Sequence, residues 1–69
     1  MPDNEKIGER IKKLRTGAHL TQEELAKAVG VDRSTIAQYE NGSRRPRDNI
    51  KAKIADVLGT GVEPLFFKK

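Results

Sequence analysis

The sequence predicts an all-α protein of five short helices around one core, and three observations carry that prediction. Apolar residues recur at helical spacing, i, i+4 and i+7, and nowhere in the strict alternation that marks a half-buried strand. Helix start and stop signals punctuate the chain at short intervals. A chain of 69 residues has room for only one modest core, so the helices must share it and residues 1–69 read as a single domain.

Ile7, Ile11 and Leu14 fall at i, i+4 and i+7 with Lys6, Glu9, Arg10, Lys12 and Lys13 between them. This predicts an amphipathic helix from Asn4 to about Thr16, capped by Asp3 or Asn4. The second start is sharper. Thr21-Gln22-Glu23-Glu24 matches the capping box, and Leu20 with Leu25 supplies a hydrophobic staple. Leu25, Ala26 and Val29 give this helix its buried side, and Gly30 offers the left-handed residue that ends it. After Val31, Asp32 is placed to cap a third helix from Arg33 to about Glu40, which Asn41-Gly42 stops. The joint between the second and third helices is too tight for an antiparallel pair, and a side chain larger than Ala26 would wedge them apart.

Pro46 precedes a fourth helix in which Ile50, Ile54, Val57 and Leu58 recur at i, i+4, i+7 and i+8, with Gly59 as its stop. Asp48, rather than Arg47, is expected as its cap. Val62, Leu65 and Phe66 predict a short fifth helix opened by Pro64. There is no internal repeat and no low-complexity linker.

Composition excludes several functions. Without cysteine there is no disulfide framework and no thiolate metal site, and His19 is the single histidine, so no metal and no cofactor are expected. No glycine-rich phosphate loop, nucleophile elbow or acid and base pair is present beyond carboxylates that caps or ion pairs explain, so the chain is not expected to be an enzyme. The apolar runs are too short to span a membrane and no signal-peptide pattern opens the chain, which points to a soluble, cytoplasmic protein. No small-molecule ligand is evident. The net charge of +4 is concentrated at Arg44-Arg45-Pro46-Arg47, a run without an intervening acid, while Glu23 and Glu24 sit where a helix start wants them. A polyanionic partner fits that edge.

The third helix is unusual. Ile36 and Tyr39 share one side, and Arg33, Ser34, Ala37, Gln38 and Asn41 recur on the other at i, i+1, i+4, i+5 and i+8. A short chain has given a scarce helix a broad hydrogen-bonding face with little to bury.

The stretch Gln22 to Asn41 resembles the helix-turn-helix of the lambda repressor and Cro-like family, also called the XRE family. Leu25, Ala26, Val29, Gly30, Val31, Ile36 and Tyr39 stand at the motif's core and turn positions. "LTQEELA", "YENG", "RRPR", "ADVLG" and "VEPLF" extend the likeness over nearly the whole chain. The resemblance implies a compact lambda-repressor-like domain whose third helix enters the DNA major groove while the second crosses the backbone. On that reading Arg33, Ser34, Ala37 and Gln38 read bases: Arg33 suits guanine O6 and N7, Gln38 suits adenine N6 and N7, and Ala37 leaves room for a thymine methyl. Thr21 and Gln22, with the first-turn amides, would hold phosphate, Asn41 would clamp the backbone, and Arg44, Arg45 and Arg47 would add phosphate or minor-groove contacts. Arg15 and Glu40 match a charged pair that positions the first helix on the third.

Three departures from the family pattern stand out. His19 replaces a common glycine before the second helix and must tolerate positive φ. Arg47 replaces a common serine or threonine cap, and Thr60-Gly61 replaces a more apolar link. The function so implied is a sequence-specific, double-stranded DNA-binding regulator, a repressor or small control protein acting as a homodimer on a palindromic operator. Leu65, Phe66 and Phe67 are the candidate dimer surface. The alternative is a protein-interaction module, such as an antitoxin with secondary DNA binding.

Overall fold

The computed structural model describes residues 4–59, with side chains from residue 6 onward. Four helices follow one another: α1 (Asn4–Gly17), α2 (Gln22–Val29), α3 (Arg33–Asn41) and α4 (Asp48–Val57). There is no strand among the described residues. The fifth helix expected from Pro64, the dimer candidates Leu65, Phe66 and Phe67, and the Asp3 or Asn4 cap lie outside what is described.

The three apolar stripes predicted for α1, α2 and α3 converge. Ile11, Leu25 and Ile36 are fully buried, joined by Ile54 from α4 and by Ile7, Ala26, Val29, Tyr39 and Ala55. At about 25 cal/mol per Å² of apolar surface, such side chains are what hold so small a chain together. The packing of α1 on α3 depends on a glycine outside the apolar stripe. Gly8 lies against the end of α3, and a Cβ there would overlap the carbonyl oxygens of Tyr39 and Glu40.

The turns follow their local chemistry. His19 has φ 61°, the one non-glycine residue with positive φ among those described. It closes α1 in a Schellman motif, with Leu20 N–H donating to the Arg15 carbonyl at 3.1 Å and His19 N–H to Thr16 at 3.0 Å. The capping box at α2 is complete. Glu24 N–H donates to Thr21 Oγ1 at 3.0 Å and Thr21 N–H to Glu24 Oε1 at 2.8 Å. Gly30, at φ 92°, returns its N–H to the Ala26 carbonyl at 2.7 Å, which fixes the tight joint into α3.

Two expected caps fail and one buried face is rotated. Asp32 occupies the N-cap position of α3, yet its carboxylate accepts no helix amide. Asp48 does not cap α4: Arg47 takes the N-cap position without a side-chain bond, and Asp48 becomes the first helical residue. The buried side of α4 is Lys51, Ile54 and Ala55, with Ile50, Val57 and Leu58 only half-buried. Lys51 is 4% exposed, its four-carbon stem packed inward while Nζ reaches Asp48 at 3.7 Å. Counting Lys as polar hid this face, because a lysine stem packs like an apolar side chain.

Candidate functional site

Arg33, Ser34, Gln38 and Asn41 are exposed along one side of α3, and Ala37 between them is half-buried. Ile36, Tyr39 and Glu40 on the opposite side are buried and fasten the helix to α1 and α2. The polar stripe is thus an open surface backed by a rigid support.

The loop after α3 is tied to that surface. Gly42 at φ 84° turns the chain, and the Ser43 and Arg44 amides both donate to the Gln38 carbonyl, at 3.1 and 3.3 Å. Asn41 Oδ1 accepts from the Ser43 amide at 2.8 Å and from its hydroxyl at 2.6 Å. That oxygen is committed to the turn, so the Asn41 NH2 is the group that can meet an external acceptor. Arg44, Arg45 and Arg47 are all exposed, and none forms an ion pair among the described residues. With Asp32, Thr35 and Asn49 they line an open groove of about 640 Å³ beside α3. The Arg44 amide bond to the Gln38 carbonyl joins this loop to α3, and the groove that the arginines line meets α3 at Thr35 and Tyr39. Asp32 places a carboxylate within it, where the sequence pattern predicts a cap.

A buried polar network holds α3 from behind. Arg15 Nε donates to Glu40 Oε2 at 2.6 Å and Nη2 to Oε1 at 3.2 Å, a two-point clamp between residues that are each 9% exposed. The third arm of the guanidinium, Nη1, donates to the Leu20 carbonyl at 2.7 Å, immediately before the Thr21 cap. One side chain of α1 thus fixes both the end of α3 and the entry to α2. Gln22 joins the network: its Nε2 donates to Glu40 Oε1 at 3.0 Å and its Oε1 accepts from Arg33 Nη1 at 3.5 Å. The Gln22 link was not legible in sequence, because nothing in the spacing of residues 22, 33 and 40 reveals that their side chains meet.

Thr21 and Gln22, expected at phosphate, sit at the open end of α2, but both are partly spent internally. The Thr21 hydroxyl oxygen and amide serve the capping box, and Gln22 is shared between Glu40 and Arg33. Among the described residues no group of three or more His, Asp or Glu side chains could hold a metal ion, and no helix is long and apolar enough to cross a membrane.

Residues 11–65 match the sequence profile of a family described as Helix-turn-helix. An uncharacterised HTH-type transcriptional regulator from Archaeoglobus fulgidus is 46% identical over 57 residues, covering 83% of this chain and 80% of that protein. Among solved structures, the restriction-modification controller protein C.AhdI from Aeromonas hydrophila superposes with a TM-score of 0.88 at 38% identity, covering 93% of this chain and 97% of its own. The P22 c2 repressor, solved in complex with a synthetic operator, gives a TM-score of 0.83 at 29% identity over 86% of this chain and 89% of that one.

Proposed function

Because the chain belongs to the helix-turn-helix family of lambda repressor and Cro-like (XRE) regulators, we propose that it is a sequence-specific, double-stranded DNA-binding transcriptional regulator. It acts as a repressor or small control protein, as a homodimer on a palindromic operator. The observation that carries this reading is the stripe of Arg33, Ser34, Gln38 and Asn41, exposed on one side of α3, with the exposed arginine loop tied to the end of that helix through the Arg44 amide and the Gln38 carbonyl.

The stripe and the loop do different work. Side chains on α3 offer donors and acceptors at fixed spacing to base edges, with Arg33 suited to guanine and Gln38 to adenine, each good bidentate pair contributing about 1 to 3 kcal/mol of discrimination. The arginines of the loop neutralise phosphate and add affinity without sequence. One such module contacts few base pairs, so specificity requires two copies on half-sites roughly 34 Å apart or a multiple of it.

Selection of bound sites from a random DNA pool tests this directly. A two-fold symmetric motif is expected to be enriched, and Arg33→Ala is expected to flatten the preference at one position of each half-site. A pool that emerges without any enriched motif, while bulk DNA still binds, would sink the reading in favour of nonspecific charge attraction.

A further inference from the structure

We propose that the groove between the starts of α3 and α4 binds a free sugar phosphate, and that this ligand excludes DNA by occupying the loop arginines. The binding site is read from the groove alone. The exclusion rests on the phosphate role proposed above for Arg44, Arg45 and Arg47.

Tyr39 carries the inference. It is 4% exposed and lines the groove. Its hydroxyl makes no hydrogen bond among the described residues, yet no fully buried side-chain oxygen there lacks a partner. The hydroxyl is therefore the part of the ring that reaches the groove, where it stands as an unpaired donor and acceptor. Polar groups so deeply set are ordinarily hydrogen-bonded, and folding has supplied no partner here.

The two helix starts beside it are equally unspent. Asp32 at the N-cap of α3 and Arg47 at the N-cap of α4 both line the groove, and neither side chain caps its helix. Arg44, Arg45 and Arg47 form no ion pair among the described residues. The groove measures about 640 Å³, inside the range of roughly 300 to 1,000 Å³ typical of small-molecule clefts, so it has room for more than a bare ion.

The mixture of charges selects the ligand. Three guanidiniums and the uncapped start of α4 call for an anion, and a phosphate can accept from several of these donors at once. Asp32 calls for the opposite, because a carboxylate only accepts and needs a hydroxyl or amine facing it. The backbone inside a DNA duplex cannot serve both: its phosphate oxygens are acceptors and its deoxyribose has no free hydroxyl. A free sugar phosphate carries both groups on one small frame. Its phosphate meets the arginines, a sugar hydroxyl donates to Asp32, and the Tyr39 hydroxyl supplies a further bond. With its guanidiniums occupied, the loop has less positive charge left for DNA.

Tyr39 is the single tyrosine and the chain has no tryptophan, so intrinsic fluorescence reports on the groove without a label. The protein is titrated with ribose 5-phosphate and, separately, with inorganic phosphate, at constant ionic strength. A saturable change is expected, with ribose 5-phosphate bound roughly tenfold more tightly than phosphate, the scale of one hydrogen bond to a charged group. Asp32→Ala should remove that advantage. Tyr39→Phe keeps the buried ring and should weaken ribose 5-phosphate several-fold, followed by amide NMR shifts at Asp32 and Arg44 because the fluorophore is gone. At saturation, ribose 5-phosphate should lower affinity for the DNA site enriched by the wild type. Absence of a saturable change with ribose 5-phosphate would overturn the inference. Equal affinities for both probes, insensitive to Asp32→Ala, would make the groove a plain phosphate seat and overturn it as well. A fluorescence change with DNA but with neither probe would assign the groove to the duplex backbone, again overturning it. Undiminished DNA affinity at saturation would overturn the exclusion. If no DNA site is enriched while ribose 5-phosphate still saturates, the DNA-binding reading falls with the exclusion and the ligand site stands.

Discussion

Arg15 and the arginines at 44, 45 and 47 are the same residue in opposite settings. Arg15 is buried, and its guanidinium nitrogens find internal acceptors on Glu40 and Leu20. The loop arginines are exposed and form no ion pair among the described residues. A guanidinium desolvated by folding must find its acceptors within the protein, whereas one left in water keeps its donors for a partner. Residue type alone therefore says little about an arginine's task. What decides it is whether the fold supplies a carboxylate in the place from which water is removed.

Breaking the buried side should have the largest effect. Glu40→Ala strands the Arg15 charge, and breaking a buried pair from one side costs about 3 to 5 kcal/mol. Urea unfolding should show a loss of that size, which for a domain this small removes much or all of its stability. The pair need not be net stabilising, because replacing both partners with apolar residues of similar volume is often neutral. Arg15→Met with Glu40→Leu is accordingly expected to recover most of the stability. Equal losses in the single and double variants would contradict this account of the pair.

Gly8 sharpens the same comparison from the backbone side. Replacing a mid-helix glycine by alanine ordinarily gains about 0.5 to 1 kcal/mol. Here the new Cβ would overlap backbone carbonyls of Tyr39 and Glu40, which cannot swing away as side chains do. Overpacking costs about 1 to 3 kcal/mol, so the clash outweighs the propensity gain and Gly8→Ala should destabilise. An increase in unfolding midpoint would show that α1 packs on α3 less closely than described.

The open edge responds differently. Arg45→Ala should leave unfolding almost unchanged and weaken binding to every DNA sequence alike. Removing one phosphate-neutralising side chain should reduce the slope of log affinity against log salt by about 0.9. A sequence-selective loss would mean that Arg45 reads bases, and the division between stripe and loop would fail.

These contrasts explain which parts of the molecule were legible in sequence. Apolar spacing placed Ile11, Leu25, Ile36 and Ile54 in the core because period and burial are the same fact in an amphipathic helix. The outward stripe of α3 was legible for the same reason, as the complement of Ile36 and Tyr39. The Arg15–Glu40 pair was reached only through family resemblance, since 25 residues separate the partners and no local rule joins them. Gly8 left a faint signal, a helix-breaking residue within an otherwise strong helix pattern. Lys51 left none, because its burial depends on where its stem lies and its charge says nothing of that.

The smallest effects concern the helix starts, and they separate local stability from binding most cleanly. Thr21 makes both bonds of its capping box, so Thr21→Ala should cost about 1 kcal/mol in unfolding free energy. Asp32 occupies the equivalent position on α3 and makes no such bond, so Asp32→Asn should cost only a few tenths of a kcal/mol, the residue of its interaction with the helix dipole. Asp32 also lines the groove with Arg44, Arg45 and Arg47, where its carboxylate opposes an incoming phosphate. The same variant is therefore expected to bind DNA slightly more tightly, with the gain shrinking as salt is raised. Arg47 at the N-cap of α4 follows the same pattern, a cation placed where the helix dipole disfavours it. Where local propensity and the observed residue disagree in this way, the disagreement lies beside the surface proposed to face DNA, and functional sites are where such conflicts are expected. A weaker-binding Asp32→Asn, or one as destabilised as Thr21→Ala, would return Asp32 to an ordinary cap and confine the functional edge to the arginines and the exposed side of α3.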